Sequence, residues 1–216
     1  MRIVKYFDKN GINYLETGKL KFPLLSETND LFEAHPSFES SEIEYIWNND
    51  IRRNYGLLSF STNFLSPIMV SHYSKNDGFV AEFEPDCEIP VDGTNIKLSK
   101  CLEPANYVVD RPVLGYKDVY EYNEEKIFNI FQTKWLEWSY EMEIRMFVRV
   151  DNNLPKSERQ YIKFERKSIK SIYLTGEFAE TDKIIMLRKT GDLTANIFKL
   201  DVSKKKYGFS IEEIAS

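Results

Sequence analysis

Hydrophobic positions recur along this chain first at one period and then at another. Between Asn123 and Trp138 the apolar residues Ile127, Phe128, Ile130, Phe131, Trp135 and Trp138 return at spacings of three and four, the stripe of an amphipathic helix. From Tyr140 onward the period becomes two. Successive strand side chains point to opposite faces, so the pattern predicts Met142, Ile144 and Met146 on one face and Glu141, Glu143 and Arg145 on the other. Two carboxylates then stand one pleat apart beside a guanidinium.

The same reading places the other elements. Residues 2–7 alternate as a first strand, Asp8 or Asn10 caps a short helix through Leu15 that Gly18 ends, and residues 19–23 read as a second strand. Residues 24–37, rich in small polar residues and proline, read as an exposed loop, followed by a helix from Ser40 or Ser41 to about Asn48. Residues 55–62 are strand-like, residues 66–73 form a short helix with Pro67 in its first turn, and residues 78–83 alternate again. Further strands are expected near residues 113–122, 145–150, 160–164 and 169–174. Residues 84–112 have prolines and few periodic apolar positions, and fit no element well. Strands interrupted by helices, without strict alternation, predict an α+β fold of mixed, largely antiparallel sheets with short helices, as one domain over residues 1–216.

Composition narrows the chemistry. The 216 residues, 42% hydrophobic and 14% aromatic, suffice for a sizeable core. The net charge of −5 arises from 29 basic and 34 acidic residues mixed along the chain, so no basic block marks a nucleic-acid surface; such a partner is neither indicated nor excluded. No run approaches the roughly 20 apolar residues that span a bilayer, and residues 1–7 lack a secretory pattern, which predicts a cytoplasmic protein with no membrane partner. Cys87 and Cys101 read as two reduced thiols rather than a zinc site or a disulfide. The nine glycines form no dinucleotide or Walker spacing, and no G-x-S-x-G elbow occurs, which argues against Rossmann, P-loop and serine-hydrolase chemistry. Of the two histidines, His35 reads as a surface residue of a polar loop, and His72 as a hydrogen-bonded, half-buried residue or a catalytic one.

Two readings of Glu141 and Glu143 compete. They lie on the solvated face of an antiparallel sheet, paired with Arg145 or with lysines across the strand. Alternatively, the neighbouring tryptophans desolvate them and hold a carboxylate in fixed geometry, as a site that stabilises positive charge requires.

A wider pattern favours the second. Lys5-Tyr6, then Ser26, Asn29, Asp30, Phe32 and Glu33, then Ser59-Phe60-Ser61, then Met69, His72, Tyr73 and Gly78, and finally Lys134, Trp138, Tyr140, Glu141, Glu143 and Arg145 follow one another in an order that resembles a bacterial family catalogued as domain of unknown function 2971. The Trp-x-Tyr-Glu-x-Glu-x-Arg element is its most specific part. The chain departs from that family at Leu31, where proline is usual, at Val70, where tryptophan is usual, and before Gly78, where a histidine is expected.

The order is also similar, more remotely, to the ADP-ribosyltransferase superfamily: a basic or histidine residue on the first strand, a Ser-Thr-Ser-like strand, and a Glu-x-Glu on a later strand. Lys5 stands where arginine or histidine is usual. The resemblance implies an ADP-ribosyltransferase-like fold and NAD as a substrate, with ADP-ribose passed to a macromolecular acceptor in toxin or phage-defence biology. It implies Glu143 as the carboxylate that stabilises the ribosyl cation, and Glu141 as the group that orients or deprotonates the acceptor. Lys5 then meets the pyrophosphate, Ser59 and Ser61 brace the site, Tyr6 or Tyr73 stacks on a ring of NAD, and Arg145 partners the glutamates. Two other readings remain. One is a non-catalytic module that binds a partner through residues 26–36; the other is a nuclease that gathers Asp30, Glu33 and the strand glutamates around Mg²⁺.

Overall fold

Asp8 and Gly18 bracket the first helical segment. The Asp8 carboxylate accepts from the Asn10 N–H at 3.0 Å and starts the turn Lys9–Gly11, which the helix Ile12–Thr17 continues. Gly18, at φ 67°, adopts the left-handed conformation that glycine takes without steric cost and donates its N–H to the Tyr14 carbonyl at 2.7 Å. In this computed structural model, which describes residues 1–28, 30–91, 93–155 and 158–214, the fold is α+β, with largely antiparallel strands and short helices. The chain divides into two compact units, one comprising residues 1–21, 60–101 and 162–216, the other residues 22–59 and 102–161.

The first unit is built on a sheet in the order Phe209–Glu213, Asn196–Val202, Ile169–Leu174, Phe79–Phe83, Ile3–Phe7. All neighbours are antiparallel except Asn196–Val202 and Ile169–Leu174, which run parallel and are joined through the helix Thr181–Lys189. Phe79–Phe83 is buried along its whole length, as a central strand must be. Val4, Val70, Val80, Tyr173 and Leu200 form one of its hydrophobic clusters. Residues 84–112, which fit no element by pattern, contain a hairpin of Glu88–Val91 and Thr94–Lys97.

In the second unit the Ser40 hydroxyl caps the helix Ser41–Ile46, which runs on as a π-helical turn through Ile51. The Asn123 side chain caps the helix Glu124–Gln132, whose buried Ile127, Ile130 and Phe131 pack with Trp47 and Tyr55. The strand Glu143–Arg149 lies between the first part of Tyr55–Ser61 and the two-residue strand Glu103–Pro104. Two short parallel pairs complete the unit: Thr133–Trp135 with Asn106–Val108, and Val113–Leu114 with Ser37–Phe38.

Three expectations from the pattern are corrected here. The helix ends at Gln132 rather than Trp138, because Thr133 turns extended and pairs with Asn106; the later tryptophans continue the spacing by coincidence. Residues 113–122 are not one strand. Only Val113–Leu114 is extended; Asp118 then accepts from the Gly115 N–H at 2.9 Å and opens the helix Tyr116–Tyr120, where the two tyrosines stack four residues apart at 4.1 Å. Residues 24–37 are not a freely exposed loop. Leu25, Glu33 and Ala34 are buried, and the Trp47 indole donates to the Ala34 carbonyl at 2.8 Å; Asn29 lies outside the described residues. Among the described residues, no helix is long and apolar enough to cross a membrane.

Gly78 is held by Thr175, whose N–H and hydroxyl both donate to its carbonyl, at 3.0 and 2.7 Å, while the Thr175 hydroxyl accepts from its N–H. A Cβ here would sit 2.1 Å from the Phe7 carbonyl oxygen and 2.3 Å from that of Ser74, both main-chain atoms that cannot step aside alone. Gly78→Ala is therefore expected to cost about 1–3 kcal/mol, read as a lowered midpoint in thermal unfolding followed by circular dichroism; an unchanged midpoint would show that the turn yields freely.

Candidate functional site

The left-handed backbone at Met142 builds this site. The segment Leu136–Glu141 is a 3₁₀ turn, Met142 follows at φ 44°, ψ 50° with its side chain 52% exposed, and the strand begins only at Glu143. Glu141 and Glu143 are thus not neighbours on one pleated face, as period two predicts. The turn swings Glu141 inward, and Lys134 joins the two carboxylates by donating to Glu141 Oε2 and, at 2.5 Å, to Glu143 Oε2. Ile144 and Met146 are buried along with Glu143 and Arg145, so both faces of the strand are covered at this end. The solvated-face reading fails, since Glu33, Lys134, Glu141, Glu143 and Arg145 are all between 0 and 8% exposed.

Arg145 is the hub of the cluster. Its Nε and Nη2 donate to the Glu143 carboxylate at 3.1 and 3.3 Å, and its Nη1 and Nη2 donate to Glu33 at 2.8 and 3.0 Å in a two-pronged pair. Nη1 also donates to the Phe131 carbonyl at 2.6 Å, which ties the cluster to the last turn of the helix Glu124–Gln132. Ser59 Oγ donates to Glu143 Oε1 at 2.5 Å, and the Glu143 main-chain N–H donates to the Tyr107 hydroxyl at 2.8 Å.

The electrostatics follow from burial. Desolvation opposes ionisation of Glu143, but Arg145 and Lys134 outweigh it and hold its carboxyl down at about 2. At Glu33 burial dominates and pushes the carboxyl up to about 7 against the pull of Arg145, with Glu143 adding to the rise. Burial alone would lower the pKa values of Lys134 and Arg145; their carboxylate partners raise both. Three carboxylates face two cations, so the cluster holds one negative charge in excess when all are ionised. Arg52 approaches from outside it and donates to the Glu33 main-chain carbonyl at 3.1 Å.

The residues expected at an NAD site fall in both units. Ser59, Glu141 and Glu143 come together in the second; Lys5, Tyr6, Ser61 and Tyr73 belong to the first. Lys5 is half-buried, its Nζ 5.4 Å from the Phe60 ring centre. The Tyr6 hydroxyl donates to the Asn63 carbonyl at 2.5 Å and accepts from the Ser66 N–H at 3.2 Å, and burial raises its pKa to about 12. Ser61 Oγ accepts from the Asn63 N–H at 2.8 Å, and Tyr73 is exposed with His72 edge-on at 6.3 Å. His72 is exposed, not half-buried; His35 is partly covered and sits 3.5 Å from an Arg52 Nη1.

Sequence reasoning gave Lys134 and Tyr107 no role and placed Glu33 in an exposed loop. Lys134 and Glu33 appear in the family pattern, and Glu33 also in the nuclease reading; no local period links any of the three to residue 143. The nuclease reading loses its carboxylate convergence, because Glu33 and Glu143 meet on a guanidinium, and among the described residues no group of three or more His, Cys, Asp or Glu is placed to hold a metal ion.

Arg145→Met strands buried carboxylates and is expected to cost about 3–5 kcal/mol in denaturant unfolding, far more than a typical surface arginine. Glu33 adds a pH signature. Its folded pKa, about 7, lies above the ordinary 4.5, so its contribution is full below about 4.5 and is lost as pH rises through 7. Wild type should therefore lose on the order of 3 kcal/mol relative to Glu33→Gln between acid and mildly alkaline pH; parallel pH–stability curves for the two proteins would contradict this.

No protein-family model, curated protein or solved structure matches the chain.

Proposed function

We propose that this protein is an NAD-dependent ADP-ribosyltransferase-like enzyme on an ADP-ribosyltransferase-like fold, one that cleaves the nicotinamide–ribose bond and modifies a macromolecule inside a bacterial cell. The contact from Ser59 Oγ to Glu143 Oε1 at 2.5 Å carries the reading, since it joins the serine strand to the later glutamate as the resemblance requires. In the reaction the C1′–N bond breaks, nicotinamide leaves as a neutral molecule with the bonding pair, and positive charge develops on the ribose. Glu143 is ionised well below neutral pH and is fixed by three donor side chains, so it meets that charge with little reorganisation. While Glu33 is ionised, the excess negative charge of the cluster acts in the same direction. An acceptor nucleophile then bonds to C1′ and gives its proton to Glu141, which Lys134 holds beside Glu143.

A second reading, a non-catalytic module that binds a partner through residues 26–36, draws on the exposure of Leu31, 83%, and of Phe32 beside it.

Purified wild-type protein incubated with NAD is expected to release nicotinamide, measured by chromatography. Glu143→Gln should slow release by roughly 10²–10³-fold. Ser59→Ala, which leaves every charge in place, should slow it by a smaller factor with an unchanged circular dichroism spectrum. Wild-type protein that neither binds nor consumes NAD, with or without a cell lysate as acceptor, would sink the enzyme reading and leave the binding module.

A further inference from the structure

Within the second unit, the parallel pair Asn106–Val108 and Thr133–Trp135 opens at one end into a pocket of about 260 Å³. Val108 stands opposite Trp135 in the pair, and beyond it the turn through Asp110, Arg111 and Pro112 forms one wall; Phe32 and His35 form the other. The volume lies below the roughly 300–1,000 Å³ of sites for drug-sized ligands, so it suits one ring system with a substituent rather than a whole dinucleotide.

The lining has a definite chemistry. Phe32 and Trp135, both about half exposed, meet edge-on at 6.1 Å and 61°, so a flat ring stacked on one of them meets the other at an angle. The Arg111 guanidinium lies 4.6 Å from the Phe32 ring centre, a cation placed over the aromatic wall. Asp110 beside it is the one carboxylate among the described lining residues, a group that accepts hydrogen bonds when ionised. Burial, then Arg52 and Arg111, lower the pKa of His35, whose Nδ1 lies 3.5 Å from an Arg52 Nη1. Lys134 also lines the pocket, but its ammonium is committed to Glu141 and Glu143. Arg111 is therefore the cation open to a ligand anion.

We propose that this pocket binds a purine mononucleotide: the base stacks on Trp135 with Phe32 edge-on to it, its amino edge donates to Asp110, and its phosphate pairs with Arg111. The inference does not depend on NAD cleavage, because binding and turnover are read separately.

Calorimetric titration with AMP, adenosine and inorganic phosphate tests it. AMP is expected to bind at least about tenfold more tightly than either adenosine or phosphate, the step of one charge-assisted contact. Arg111→Gln should erase the advantage of AMP over adenosine, and Trp135→Ala should weaken both nucleosides by roughly 5–150-fold, the range for one stacked base. Both side chains are exposed, and an unchanged circular dichroism spectrum confirms the fold of each variant. Equal affinity for AMP and adenosine, AMP binding indifferent to both substitutions, or no AMP binding at millimolar concentration would each overturn the proposal.

Discussion

A guanidinium with no contact to water organises the second unit. Arg145 is fully buried, and an arginine there is tolerable only if every donor finds an acceptor. It finds them on three separate pieces of chain: the Glu33 carboxylate from residues 24–37, the Glu143 carboxylate on its own strand, and the Phe131 carbonyl at the end of a helix. Glu33 lies 112 positions from Arg145, so the ion cluster also closes the unit's long-range topology. Replacing it wholesale with apolar residues would not imply loss of stability, since buried ion networks often gain little over hydrophobic packing.

The geometry also divides labour among the carboxylates. Glu143 receives two cations, a hydroxyl and a covered strand, and is locked as an anion; Glu33 shares only the guanidinium and is left near its titration point at neutral pH. Similar side chains thus acquire different protonation behaviour from the number of donors each meets. Glu141 is tethered by Lys134, which also donates to Glu143.

Much of this was legible beforehand where local rules operate. Asp8, Gly18, Ser40, Pro67 and Asn123 mark helix ends through their own side chains or backbone freedom, and the strands at residues 3–7, 55–61 and 79–83 announce themselves by composition. The resemblance alone put Ser59 and Glu143 in one site, without naming the hydrogen bond that joins them. What stayed hidden was non-local. Nothing near Glu33 signals that a polar loop folds inward on an arginine 112 positions later. Trp135 and Trp138 continue a helical spacing past the point where Thr133 is captured by a parallel partner, so tertiary pairing overrode the local period. Met142 breaks a period-two run by adopting φ 44°, a conformation that methionine's side chain gives no hint of.

The order of segments bears on how the chain is made. Both units are interleaved along the sequence, but the second is complete once residue 161 has been synthesised, whereas the first still lacks Ile169–Leu174, the strand that covers one edge of Phe79–Phe83. During translation that central strand waits with an open, apolar border, the kind of border that recruits strands from other nascent chains. The arginine-centred unit is thus positioned to fold first on the ribosome, and the later one is where chaperone assistance would matter most.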